Sequence, residues 1–303
     1  MTTLPGTIPG PPGRARAWLL ASRPPTLTAA VAPVIVGTAV AVRADAFAAG
    51  PALAALLGAI ALQVGANFAN DVSDFRRGAD HAGRLGPPRA AAMGMLSETA
   101  IVRGMLAAFA IAAVLGLYLA SVVGWPIIVV GVASIAAAVT YTGGPWPYGY
   151  RALGELFVFA FFGLVAVAGT YYAQAGALSR EALAAAIPVG FTVTAILVVN
   201  NVRDIESDRV AHKYTLAVYL GRRLARGQYL ATVAGAYVAA TALWLVGGFS
   251  PGVLLVWLSL PAMVGPARAV LTQTDGPPLN AALRATARLH FVFAVLLAVG
   301  VLW

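Results

Sequence analysis

The chain has 303 residues, 60% of them apolar and only 10% charged, with a mean hydropathy of +0.83, whereas a soluble domain of this length needs far more polar surface to cover its core. It has no cysteine, which excludes disulfides, thiolate metal sites and thiol nucleophiles, and its three scattered histidines (His81, His212 and His290) argue against a histidine-rich zinc or haem site. The formal charge of +9 sits in the connections between apolar runs, a placement that speaks for membrane topology and not for a nucleic-acid partner.

In chain order, residues 1–13 are rich in Pro, Gly and Thr and read as a disordered tail, without the basic start and apolar core of a cleavable leader. Residues 14–303 read as a single transmembrane domain. The first apolar segment, 17–42, is interrupted by Pro24, Pro25 and Pro33 and is expected to enter as a broken helix. The second, 51–75, ends in Asn67-Phe-Ala-Asn70-Asp71-Val-Ser-Asp74, with Asp80 beyond Gly78 on the following loop. Segments 99–121 and 126–142 come next, then an aromatic stretch broken by Gly and Pro, Tyr141-Thr-Gly-Gly-Pro-Trp146-Pro-Tyr148-Gly-Tyr150-Arg151. Segment 153–176 carries Glu155 near its start, and 182–203 runs out into Asn200-Asn201-Val-Arg203-Asp204-Ile-Glu206-Ser-Asp208. The last three segments are 227–247, 252–271 and 286–303. Each run is near the ~20 residues that cross a bilayer as a helix, and the short alternating strands of a barrel are absent. The predicted fold class is therefore all-α, a polytopic membrane protein of about nine transmembrane helices.

Lys and Arg fall in alternate connections. Arg14 to Arg23, Arg76 to Arg103, Arg151, Arg203 to Arg226 and Arg268 to Arg288 share one side, leaving Arg43 and Arg180 on the other. This asymmetry puts the basic side and the amino end in the cytoplasm and the carboxyl end outside, in a plasma or inner membrane.

Six of the eleven acids lie in the two Asn-led stretches, each at the cytoplasmic end of a segment. On a helix Asn67, Asp71 and Asp74 share a face, as do Asn200 or Asn201, Asp204 and Asp208. Carboxylates crowded at membrane depth need a cation to offset them, and hard oxygen donors on two opposed helices suit Mg²⁺. The arginines and Lys213 beside them supply charge directed at phosphate. Either cluster alone reads as readily as a solvated helix end pairing with its arginines; their shared side, order and spacing favour a diphosphate–metal site. The aromatic stretch has two readings, an interfacial belt or a set of ring faces stabilising a carbocation. Glu155 belongs to an acceptor site or simply complements a helix start. The histidines read as loop or packing residues.

These motifs resemble the UbiA-type superfamily of intramembrane aromatic prenyltransferases. The matching stretches are Ser22-Arg23-Pro24-Pro25-Thr26-Leu27, Asn70-Asp71 through Gly86-Pro87-Pro88-Arg89, Tyr141-Thr142-Gly143-Gly144 through Gly154-Glu155, and Asn200-Asn201-Val-Arg203-Asp204 through Lys213-Tyr-Thr215-Leu216-Ala217. The spacing of Asp80 before Gly-Pro-Pro-Arg is similar to the naphthoate type within it, although Val72 and Tyr214 stand where that type commonly has Tyr and a basic residue. The resemblance implies nine helices around a central cavity, with the two aspartate motifs facing each other at its cytoplasmic mouth. It implies that Asp71, Asp74, Asp204 and Asp208 hold Mg²⁺, assisted by Asp80 and Asn67, and that Arg23, Arg203 and Lys213 contact diphosphate. Asn70, Arg89, Tyr141, Tyr148, Asn200 and Asn201 complete the candidate substrate contacts. The implied partners are a polyprenyl diphosphate arriving from membrane lipid and the acceptor 1,4-dihydroxy-2-naphthoate, which loses CO₂ to give demethylmenaquinone. Other acceptors, such as 4-hydroxybenzoate or homogentisate, are the first alternative, and a secondary transporter is the second.

Overall fold

The computed structural model describes residues 13–78, 85–86 and 89–303. The tail, apart from Gly13, and Asp80 lie outside the described residues. Among these, secondary structure is helical throughout: α1 (Arg14–Ser22), α2 (Thr28–Arg43), α3 (Ala49–Arg76), α4 (Glu98–Val123), α5 (Pro126–Thr140), α6 (Gly154–Val158), α7 (Ala166–Ala175), α8 (Arg180–Val210), α9 (Leu216–Leu245), α10 (Leu260–Thr272) and α11 (Gly276–Leu302). A π-helical turn, Phe159–Val165, joins α6 to α7, and a 3₁₀ stretch, Pro251–Ser259, leads into α10. Seven of these passages are long and apolar enough to cross a membrane, and α1–α2 together form an eighth, bent by 50°. The ninth predicted segment is the shorter apolar helix α5. The chain is a multi-pass membrane protein.

Local chemistry sets the helix ends. Pro24 and Pro25 break α1 from α2, with Arg23 taking a left-handed conformation (φ 52°) at the elbow. Ser97 and Ser179 cap α4 and α8 by accepting from the amides of Ala100 and Ala182, at 3.2 and 2.9 Å. Three helices begin well before or end well after their apolar runs; one is α9, which starts at Leu216 and is kinked at the non-helical Gly221. Helix α11 starts at Gly276, because Pro277 and Pro278 fit a helix's first turn and do not break it. Helix α8 continues to Val210, so the second acidic stretch is fully helical.

The main core forms where α2, α7, α8, α9 and α11 meet, and it is built largely of Ala and Val. Small residues bring helices close there: a side chain at Gly163 would strike the backbone of Gly190 on α8, and one at Gly37 the carbonyl of Val167. Buried hydroxyl and imidazole pairs tie the same helices together, Thr192 to His290 at 2.7 Å and Tyr229 to Thr286 at 3.1 Å. Opposite this core, α4 and α5 turn large apolar side chains such as Val114, Leu117, Val129 and Val132 outward, as lipid contact requires.

Candidate active site

One cavity of about 660 Å³ runs through the bundle between α3, α4, α5, α7 and α8, with the α1–α2 elbow and the start of α11 also contributing to its wall. Its mouth lies at the end where Arg76, Arg77, Arg209 and Arg222 gather. Asp74 reaches it from α3, Asp204 and Asp208 from α8, and Arg89, Arg203 and Lys213 stand between them. Below the mouth the lining becomes apolar and continues to Ala54, Leu119, Ile127 and Ala173, which pack together at the far end.

Every carboxylate at the mouth is engaged by a basic partner. Arg89 Nη2 donates to Asp74 Oδ2 at 2.7 Å, and Tyr150 donates its hydroxyl to Asp74 Oδ1 at 3.0 Å. Arg203, 2% exposed, forks onto Asp204 through Nε at 2.7 Å and Nη2 at 2.5 Å. It also donates to Asn200 at 2.8 Å and to Asn280 of α11 at 2.7 Å. Lys213 Nζ lies 3.6 Å from Asp208 Oδ1 and 5.6 Å from the centre of the Tyr150 ring. Burial opposes the charge of Lys213, but Asp208 and Asp74 outweigh it and hold the ammonium's pKa above its ordinary value. Asp208 Oδ2 is buried with no hydrogen-bond partner.

The aromatic stretch forms one wall. Arg77 straps it to α3 by donating to the carbonyls of Thr142 and Gly144, at 3.0 and 2.7 Å. The amide of Tyr214 donates to the carbonyl of Tyr150 at 3.2 Å, joining the stretch to the Lys213 turn. Tyr141, Tyr148, Phe157 and Phe161 follow one another ring to ring, with centroids 5.4, 4.0 and 6.1 Å apart. All four line the cavity. Burial first, then the charges of Glu155, Asp208 and Asp74, push the Tyr141 phenol far above its usual range. Burial does the same for Tyr148 and Tyr150. These rings are neutral faces beside the acidic mouth.

Of the residues expected from sequence, the cavity wall holds Arg23, Asn70, Asp74, Arg89, Tyr141, Tyr148, Asn200, Arg203, Asp204, Asp208 and Lys213. Three others lie behind it. Asp71 is buried and accepts from the amides of Ala90 and Ala91 at 3.1 and 3.4 Å, fixing the chain that returns after α3. Asn67 donates to the Ser22 carbonyl at 2.9 Å and to Thr26 at 3.0 Å, clamping the elbow. Asn201 donates to buried Glu155 at 3.0 Å. The cavity face of α3 is thus Ala66–Asn70–Asp74, and Asn67 and Asp71 occupy the neighbouring stripe. Asn280 and Tyr150 were not among the expected contacts. Asn280 sits in a stretch whose two prolines read as loop, and only the rule favouring proline in a first helical turn points to it.

Among the described residues no three His, Cys, Asp or Glu side chains converge on one point as a ready metal cage. The donor chemistry nonetheless fits Mg²⁺, which usually takes one or two carboxylates plus substrate phosphates. Asp74 and Asp208 approach from opposed helices, Asp208 has an unengaged buried oxygen, and the guanidinium and ammonium groups stand where charge exchange with an anion is possible.

The UbiA prenyltransferase family model matches residues 30–296. A Mycobacterium leprae protein named 1,4-dihydroxy-2-naphthoate octaprenyltransferase is 38% identical over 282 residues, covering 93% of this chain and 94% of that one. An Escherichia coli protein of the same name is 36% identical, covering 95% and 96%. The fold is similar to the apo structure of a UbiA homologue from Aeropyrum pernix (TM-score 0.66, 17% identity, 88% and 96% covered). It is also similar to a UbiA homologue from Archaeoglobus fulgidus bound to DMAPP and Mg²⁺ (TM-score 0.63, 16% identity, 93% and 99% covered). From its sequence match and its fold together, the chain belongs to the UbiA prenyltransferase family.

Proposed function

We propose that this chain transfers a polyprenyl group from polyprenyl diphosphate to 1,4-dihydroxy-2-naphthoate, releasing diphosphate and CO₂. The observation that carries the reading is the continuity of one cavity from a charged mouth to an apolar shaft. A molecule with an anionic head and a long hydrocarbon tail matches both halves. The acceptor follows from the relatives named for it, with which this chain aligns over more than nine-tenths of its length.

Mg²⁺, when bound by Asp74, Asp204 and Asp208, supplies charge neutralisation for the departing diphosphate. Arg23, Arg203 and Lys213 take the remaining phosphate oxygens, with Arg203 and Lys213 giving up part of their pairing with Asp204 and Asp208. Heterolysis of the C1–O bond sends its electron pair to diphosphate and leaves an allylic cation. Tyr141, Tyr148 and Phe157 border that cation with faces that attract positive charge and, as neutral phenols or phenyl, do not readily trap it. The carboxyl-bearing ring carbon of the acceptor forms the new C–C bond. Loss of CO₂ returns the electron pair of the broken C–C bond to the ring. The product is the quinol form of demethylmenaquinone, and the step needs no protein nucleophile. The basic end, with the mouth, faces the cytoplasm, and residues 14–303 act as one transferase domain.

The test is mass spectrometry of products from purified protein, Mg²⁺, farnesyl diphosphate and 1,4-dihydroxy-2-naphthoate, with 4-hydroxybenzoate and homogentisate in parallel. A decarboxylated, prenylated naphthalenediol is expected. Prenylation of another acceptor in its place overturns the acceptor, and no covalent product with any acceptor overturns the reaction.

A further inference from the structure

The apolar shaft beneath the mouth is walled mainly by α3, α4, α5 and α7, and each of these helices carries a glycine on its inward stripe: Gly58, Gly116, Gly131 and Gly169. Glycine in a helix interior is destabilising against alanine, so its place in four adjoining stripes needs a reason. Close helix packing is the reason at Gly37, Gly163 and Gly300, where an added Cβ would strike a neighbouring backbone. It fails for the shaft. A Cβ at Gly116, Gly131 or Gly169 meets no atom within 4 Å, and one at Gly58 meets only Leu115, at 3.9 Å. The missing side chains at these positions open volume in the cavity and bring no helices together.

The glycines lie at one depth. Gly58, Gly131 and Gly169 stand four residues from Ala54, Ile127 and Ala173, and Gly116 stands three from Leu119. Those four residues pack together as the floor of the shaft, so each glycine lies about one helical turn, ~5 Å, above it. Asp208, buried with one unengaged oxygen, marks the other end of the same cavity as the place of the polar head.

We infer that Gly116, Gly131 and Gly169 together determine how long a prenyl tail the cavity admits. This rests on the proposed reaction. A leucine at any of the three projects into the shaft and obstructs a tail that reaches its level, while a shorter tail ends above it.

The experiment compares kcat/KM of the wild type, Gly131→Leu, Gly169→Leu and Gly116→Leu for geranyl, farnesyl, geranylgeranyl and solanesyl diphosphates, with Mg²⁺ and 1,4-dihydroxy-2-naphthoate. The solanesyl-to-geranyl ratio should fall at least about tenfold in each variant, the lower range for a misplaced apolar group in a pocket. The fall should begin at the same donor length in all three variants. An unchanged ratio, equal losses for all donors, or a fall that begins at clearly different donor lengths overturns the inference. If a leucine variant does not yield monodisperse protein, its alanine counterpart carries the test, and an unchanged ratio there is equally fatal. A wild type that prenylates nothing refutes the reaction itself; an active wild type whose variants keep its donor profile refutes only the role of the glycines.

Discussion

Asp204 and Asp208 stand one helical turn apart, yet their surroundings give them different weights in stability and in turnover. Asp204 holds the buried guanidinium of Arg203 through two bonds, and removing its charge leaves that cation uncompensated, at a cost of about 3–5 kcal/mol. Asp208 makes one looser contact with Lys213, whose charge Asp74 and the Tyr150 ring also support. Asp204→Asn should therefore lower both the melting temperature in detergent and turnover. Asp208→Asn should leave melting nearly unchanged and still depress turnover beyond the about 10–100-fold typical of outer-sphere groups. Equal melting temperatures for the two variants would contradict this division. Lys213 bears a second expectation. Its folded pKa is raised, so the stability tied to its charge is complete below the ordinary lysine value of 10.5 and is lost only as pH rises through the higher folded value. Neither rate nor stability should titrate with Lys213 between about pH 7 and 10. A transition in that window that disappears in Lys213→Arg would count against the buried ion pair.

At the scale of elements, the apolar runs and their punctuation were readable, because bilayer length and proline geometry act on short stretches of sequence. The break at Pro24 and Pro25 and the aromatic stretch from Tyr141 to Tyr150 follow from local signals, whereas the meeting of Asp74 with Asp204 and Asp208 was implied by the family resemblance. What was not readable is rotation. Asn67, Asp71 and Asp74 fit one face on a helical wheel, but packing turns Asp71 toward the 90–91 amides and Asn67 toward the α1–α2 elbow, and gives Asn70 and Asp74 to the cavity. Nor does hydropathy see the first turns of α11, whose polar start carries Asn280 into the site. Its Oδ1 accepts from Arg203 at 2.7 Å, and its Nδ2 donates to the Leu85 carbonyl at 2.9 Å, so one side chain joins the last helix to both acidic motifs. Asn280→Leu should raise KM for the diphosphate donor by about 10–100-fold, in line with a hydrogen bond to a charged group, and leave KM for the acceptor little changed. Asn280→Asp keeps the acceptor for Arg203 and should recover most of the loss. Equal effects on both substrates, without recovery in the aspartate variant, would mark Asn280 as merely structural.

Across the whole molecule, charge and depth run along one axis. The basic residues and the mouth share an end. At the other, Arg43 donates to the carbonyls of Val301 and Gly248, each at 3.2 Å, and lies 5.0 Å from the Phe249 ring, spending its charge on helix-end carbonyls. The axis matters chemically, because diphosphate is too highly charged to cross the hydrocarbon and must leave on the side where the mouth opens. The positive-inside rule is the basis for proposing that this side is the cytoplasm. The absence of native cysteine makes the assignment directly measurable, since a single introduced thiol is the only one to label. Ala44→Cys, exposed beside Arg43, should react with a membrane-impermeant maleimide in intact cells. Arg223→Cys, exposed at the basic end, should react only after the membrane is opened. The reverse pattern would place the mouth outside, and the proposed orientation would have to be abandoned.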